Sequence, residues 1–353
     1  MIAVHVSDRR GKRETFFAKE GQRLLHAGLM GGIGLPHECA TGTCGNCKAT
    51  VVSGDALPLW PDAPGAKVCR KAGEVLLCQT AAASDLELAL PSAFIPRCRP
   101  QCREVRGRIA ERKILTPEVG LFEIALDEPL DYLPGQFVLL SGLGVQGPRA
   151  YSMTHHAPRE ARLRFLIRLN PSGHFSKSLF ERDIQNDRLD VFGPLGRATF
   201  DCGEERPIVA VAGGSGVAGV MSIIRHALAA GYFQRHPSRV FFGLRDADSS
   251  YLLDEFSAFE RESEGCLQVT IAFSEGSCSA EFAAKWPAID FKHGFVHDVM
   301  RDCLASNDRS ELMTMKNPLF FVGGPPLMVN ATMKSLMSDC KVSPTEIRYD
   351  RFN

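Results

Sequence analysis

The sequence has no excess of either charge: 41 Lys and Arg stand against 41 Asp and Glu over 353 residues. Such a balance sets up no long-range field to gather nucleic acid or an anionic membrane, so any charged contact is a local patch. No unbroken apolar run reaches the roughly 18 residues of a membrane-spanning helix. Asp8, Arg9 and Arg10 interrupt the stretch where a secretory signal would place its apolar segment. Internal repeats and low-complexity segments are also missing. These absences point to a cytoplasmic, monomeric protein that binds no nucleic acid and does not insert stably in a membrane. What is present is a hydrophobic content of 44%, enough for two or three separately cored domains, and twelve cysteines. Without a secretory signal, that many cysteines argue against a disulfide framework and for metal ligation by some of them.

Residues 1–92 alternate short β-rich runs with Gly-rich turns and read as one small domain. Pro91 to Arg103 carry three prolines and several arginines with no apolar period, and residues 93–103 read as a linker. Over residues 104–203, six β-branched or aromatic-rich runs are separated by Gly, Pro and Asp turns, as a small antiparallel barrel requires. From 204 to 353, the short apolar strands PIVAVAGG, RVFFGLR, LQVTIAFS, PLFFVGG and EIRYDRF are separated by helix-length segments. That alternation predicts a parallel, doubly wound α/β sheet.

Cys39, Cys44 and Cys47 form C-x4-C-x2-C, and Cys78 follows in LLCQT. The spacing matches the plant-type two-iron signature. One loop must curl around two irons and offer three thiolates while its N–H groups face the cluster sulfurs, and Gly42 and Gly45 permit that approach. A zinc site is the alternative, but structural zinc usually reads as two C-x2-C knuckles and one is present. Cys98 and Cys102 are weighed as a second metal pair. With Cys69, Cys202, Cys266, Cys278, Cys303 and Cys340 they read instead as small hydrophobes or inert thiols. Residues 1 to about 90 resemble plant-type ferredoxins, from the helix LLHAGLMGGI to the closing strand DLELAL, which implies an α+β β-grasp fold.

Arg149, Ala150, Tyr151 and Ser152 fit R-x-Y-S, the flavin motif of the ferredoxin reductase superfamily, which residues 104–353 resemble throughout. The resemblance implies that Tyr151 lies against the isoalloxazine, Ser152 near its N5 and Arg149 on the pyrophosphate, with FAD rather than FMN as occupant. Gly173, His174, Phe175 and Ser176 would open a helix whose free N–H groups face the same phosphates. Arg168 is a further contact. Neither His155 nor His174 needs a catalytic role.

Gly213, Gly214, Ser215 and Gly216 follow the strand PIVAVA and open a predicted helix, where a doubly wound sheet binds a dinucleotide. The segment resembles the GGTG-x-AP motif of the superfamily, with Ser215 keeping the hydroxyl and Gly219 in place of proline. Gly324, Pro325 and Pro326 resemble the family's C-G-P-P-x-M motif, with Gly323 where the cysteine is usual. Arg245 and Asp246 would flank the adenosine ribose, and an acidic group there favours NADH over NADPH. By the same resemblance Phe352 is the terminal aromatic that faces the flavin.

NADH gives up two electrons as hydride, whereas a plant-type cluster accepts one, at about −400 mV. A flavin between them is the order in which each step suits its carriers. Ferredoxin, flavin and nicotinamide modules in this order resemble the reductase components of bacterial multicomponent oxygenases. That implies a terminal oxygenase partner, first a Rieske-type aromatic ring-hydroxylating dioxygenase. Reductases of di-iron or membrane hydroxylases, or of deoxysugar biosynthesis, are the alternatives.

Overall fold

A computed structural model describes residues 1–276, 278–305 and 317–351. The N-terminal sheet has five strands, in the spatial order Arg13–Ala18, Ile2–Ser7, Leu86–Ala89, Lys48–Ser53 and Glu74–Leu76. Ile2–Ser7 exposes alternate residues and turns Val4 and Val6 into a core that the helix Leu24–Met30 covers. The predicted helix and the closing strand are both there.

The six runs of the second module form six antiparallel strands, ordered Val145–Ser152, Phe137–Gly142, Arg188–Leu195, Arg103–Thr116, Val119–Leu130 and Glu160–Arg168. A single bridge, Met153 to Phe165, joins the two edges, so the sheet curls without full closure. The last module is a six-stranded, all-parallel sheet ordered Asp290–His293, Leu267–Phe273, Ser238–Leu244, Ile208–Gly213, Leu319–Gly324 and Ile347–Arg351. Asp290–His293 is an edge strand that sequence pattern did not single out, because its DFKH carries no apolar run. Strand order reverses between Ile208–Gly213 and Leu319–Gly324, and that switch point is where such sheets open a crevice.

The cores do not respect the module borders. Phe137, Leu139, Phe192 and Leu195 of the barrel pack in one cluster with Leu24, Leu25 and Leu88 of the N-terminal fold. His26 lies flat on Phe192, ring centroids 3.7 Å apart, and burial holds its imidazole neutral. Residues 93–103 are a strap more than a free tether: Ile95 N donates to Gly34 O at 2.8 Å, and Gln136 Nε2 of the barrel donates to Arg99 O at 3.4 Å. No helix among the described residues is long and apolar enough to cross a membrane.

Candidate functional site

The cysteine loop turns on Gly42 (φ 91°) and Gly45 (φ 82°), where a Cβ would sit 2.9 Å from Gln79 and from Val68 respectively. The turn brings backbone donors onto sulfur. Cys39 Sγ accepts from Cys44 N at 3.3 Å and from Thr41 N at 3.5 Å, and Cys44 Sγ accepts from Asn46 N at 3.5 Å. A side-chain hydrogen bond from Cys44 is the largest of several that hold the Cys39 thiol down, to about 4. Cys47 and Cys78 lie 3.3 Å apart, sulfur to sulfur, and are buried. The donors thus fall into two pairs, and among the described residues no three His, Cys, Asp or Glu surround one ion. A single zinc does not suit that arrangement, whereas a two-iron core with two thiolates per iron does. Two supports escaped sequence reasoning. Arg23 Nη1 donates to Cys78 O at 2.7 Å, and Gly65 packs so closely that a Cβ would lie 2.8 Å from Gly42 O and Gly45 N.

The strand Val145–Ser152 pairs with Phe137–Gly142 and carries the R-x-Y-S residues along one wall of a cavity of about 570 Å³. Arg149, Ala150, Tyr151 and Ser152 all line it. Tyr151 is set between Phe175, at 6.0 Å, and Phe165, at 6.4 Å, and burial raises its hydroxyl pKa. Gly173, Phe175 and Ser176 reach the same cavity. His174 does not: it lies in a separate groove with Leu143 and Gln146, because successive helical side chains step by about 100° around the axis. Arg168 lines the cavity and donates to Glu118 at 2.7 Å. Arg149 turns its guanidinium back on the carbonyls of Gly147 and Pro148, at 3.3 and 3.1 Å. Cys39, Thr41, Thr43 and Trp60, from the cluster module, line the same cavity.

Gly213 and Gly214 open a second cavity, of about 1100 Å³, at the carboxyl ends of the parallel strands. Ser215, Gly216 and Gly324 face the first cavity instead, and Pro325 lines both, so the two spaces share one partition. That partition is tight. A Cβ on Gly216 would stand 2.3 Å from Gly324 Cα, and one on Gly323 2.6 Å from Gly216 O, which is why glycine occupies the place of the family's cysteine. Pro326 is the first residue of the helix Pro326–Lys334. Arg245 and Asp246 line the larger cavity, 3.5 Å apart, with Glu118 3.9 Å from Arg245. Asp246 accepts from Ser249 N at 2.7 Å, and hydrogen bonds from Ser249 keep its carboxyl ionised below the usual range. Carboxylates outnumber guanidiniums on this wall, with Asp248, Glu275 and Asp298 added to Glu118 and Asp246.

Phe352 lies outside the described residues. Two residues earlier, Asp350 borders a small cavity with Ser152, Gly216 and Gly219, and burial, with Glu38 nearby, raises its carboxyl to about 7. The next residue, Arg351, pairs with Glu38 at 2.8 and 3.0 Å, reaching the residue before Cys39. Neither carboxylate bears a motif that sequence reading could have caught.

Comparison with known proteins gives the same modules in the same order. Family models match the 2Fe-2S iron-sulfur cluster binding domain over residues 8–83, the oxidoreductase FAD-binding domain over 106–200 and the oxidoreductase NAD-binding domain over 210–334. The ferredoxin–NAD(P)+ reductase CarAd of Metapseudomonas resinovorans is 31% identical, over 94% of this chain and 95% of its own. The ferredoxin–NAD+ reductase component of the alkene monooxygenase system of Xanthobacter autotrophicus is 35% identical, over 70% of this chain and 75% of its own. Among solved structures, the ferredoxin reductase in carbazole 1,9a-dioxygenase superposes with a TM-score of 0.79 at 29% identity, covering 99% of this chain and 98% of that one. The Amycolatopsis cytochrome P450 reductase GcoB does so with a TM-score of 0.79 at 28% identity, covering 100% and 99%.

Proposed function

This chain belongs to the ferredoxin–NAD(P)+ reductase components of oxygenase systems, and from that premise we propose that it draws electron pairs from NADH and delivers them singly to a terminal oxygenase. When bound, FAD accepts two electrons together and passes them on one at a time, at the step a two-iron cluster can take. The observation that carries this reading is the shared cavity: Cys39 and Thr43 of the cluster loop, Tyr151 and Ser152 of the barrel, and Ser215 and Gly324 of the parallel sheet all line one space. A flavin held there would be within reach of every module.

The residues have separate tasks in this scheme. Cys39, Cys44, Cys47 and Cys78 hold the irons. Tyr151 and Phe175 would flank the isoalloxazine, Ser152 would place a hydroxyl beside it, and Arg149 would hold the pyrophosphate once released from its own loop carbonyls. Gly213 and Gly214 admit the dinucleotide, whose ribose meets Asp246. The carboxylate-rich wall supports NADH over NADPH, since a 2′-phosphate would be repelled there.

For the acceptor we take a Rieske-type dioxygenase, supported by the carbazole relative that this chain matches along nearly its whole length. Purified holoprotein should reduce cytochrome c with NADH; no turnover would defeat the enzyme reading. Faster transfer to a di-iron hydroxylase than to a Rieske oxygenase would replace the acceptor and leave the relay intact.

A further inference from the structure

Gln79 follows the fourth cysteine of the cluster set and is 4% exposed. Its main chain is pinned in the tight turn Leu77–Gln79, where Leu59 N donates to Gln79 O at 2.8 Å. Its amide is pinned as well: Arg23 Nη1 donates to Gln79 Oε1 at 2.6 Å and to Cys78 O at 2.7 Å. A guanidinium has donors and no acceptor, so only the amide oxygen can face it, and the Nε2 group is turned away from Arg23. The amide packs there on the cysteine loop. A Cβ on Gly42, which lies between Cys39 and Cys44, would stand 2.9 Å from Gln79 Nε2 and 2.9 Å from its Cγ. Nε2 is buried, and no acceptor among the described residues takes its protons. A buried donor left unused is costly, and native folds rarely carry one without a partner of some kind.

We propose that Gln79 donates through Nε2 to a sulfur of the two-iron cluster and thereby raises its reduction potential, with Arg23 as the positioning residue that turns the amide that way. The proposal rests on the cluster reading given above. What points to sulfur is the place of the donor: against Gly42, inside the loop that supplies three thiolates, and one residue past the fourth. The sulfurs of such a cluster carry its negative charge and are the acceptors that a neutral buried N–H otherwise lacks in this chain. Backbone donors already serve two of them, with Cys44 N and Thr41 N on Cys39 Sγ and Asn46 N on Cys44 Sγ. Gln79 adds a side-chain donor, which mutation can remove without touching the backbone.

Reduction adds an electron, the sulfurs become more negative, and a donor aimed at them binds the reduced state more strongly than the oxidised one. The potential therefore rises, and the electron step from flavin to cluster gains driving force. A plain packing role predicts something else. If Gln79 only fills the space left by Gly42, a leucine of similar size would serve equally well and the potential would stay where it is.

The test is a redox titration of the holoprotein, followed by the electron paramagnetic resonance of the reduced cluster. Gln79→Leu should lower the midpoint by about 59 mV, a roughly tenfold weaker equilibrium for taking up one electron. Arg23→Lys keeps the positive charge but loosens the grip on the amide; it should lower the midpoint by less, and add nothing in the Gln79→Leu background. Ferricyanide reduction at the flavin should stay constant in all three variants. An unchanged midpoint in Gln79→Leu would overturn the proposal, and an equal shift from Arg23→Lys in both backgrounds would overturn the positioning role. Should Gln79→Leu fail to take up a cluster, the unaltered chain decides. Made by cell-free synthesis with glutamine carrying nitrogen-15 in its side-chain amide, the reduced protein should show a nitrogen-15 coupling in pulsed resonance, and its absence would equally overturn the donor. A missing two-iron signal in the unaltered holoprotein would instead defeat the cluster reading itself, so the two failures are distinct.

Discussion

At the scale of single residues, the partition between the two cavities is the least forgiving place in the chain. Gly216 and Gly324 touch backbone to backbone, so Gly216→Ala has no flexible neighbour to displace. Overpacking of this sort costs about 1–3 kcal/mol, and here the shift falls on the loop proposed to admit the dinucleotide. The expected result is a raised KM for NADH with FAD still bound, read from steady-state kinetics and the flavin absorption. Asp246 decides a different property. Its carboxylate is held ionised by Ser249 and, in the proposed nucleotide pose, stands where a 2′-phosphate would come. Asp246→Asn should shift the NADPH to NADH ratio of kcat/KM upward by roughly tenfold, about 1.4 kcal/mol; an unchanged ratio would mean that discrimination lies elsewhere on the wall.

At the scale of elements, the helix Leu253–Glu262 carries a carboxylate that the fold tolerates poorly. Glu260 is raised to about 7 from 4.5, first by burial and then by Asp290, and its Oε2 lacks a hydrogen-bond partner. The folded chain therefore keeps a proton that the unfolded chain has already lost between those values, and stability falls as pH rises across them. Glu260→Gln keeps the shape and removes the titration. It should gain about 1–2 kcal/mol near pH 8, allowing for partial solvation, and little near pH 4. Thermal melts at both values check the sign; a gain that did not grow with pH would discard the argument.

Elements also set what could be read in advance. The cysteine loop and the six barrel strands were legible because their signals are local: a spacing, two glycines, a period of two. The helix after Gly173 is legible as a helix, yet the direction of His174 is not, since a four-residue motif carries no facing and the helical step separates its members. Gly323 looked like a lost cysteine in sequence. In space it is where Gly216 crosses, a contact more than a hundred residues apart that no spacing announces. Trp60, Glu38 and Asp350 escaped for the same reason, each gaining its meaning from a partner in another module, and Arg23 from Cys78, 55 residues on in its own.

At the scale of the whole molecule, the relay can be cut at either of two joints, and the cuts should look different. Cys78→Ser removes one thiolate from the buried pair with Cys47. Ferricyanide reduction should persist because flavin and nicotinamide sites are untouched, while cytochrome c reduction and the two-iron electron paramagnetic resonance signal are lost together. Arg351→Ala instead spares every ligand and removes the ion pair that ties the last parallel strand to Glu38 on the cluster loop. The pair is only partly exposed, with Glu38 at 17% and Arg351 at 33%, so its loss should weaken seating by about 1 kcal/mol. Cluster content and ferricyanide turnover should stay normal, and the flavin-to-cluster step in stopped-flow should slow. If that step kept its rate while the ion pair was gone, the seating would be set by the hydrophobic contact of Phe137 and Phe192 with the cluster fold. The packed border between modules would then be what holds the carriers within reach.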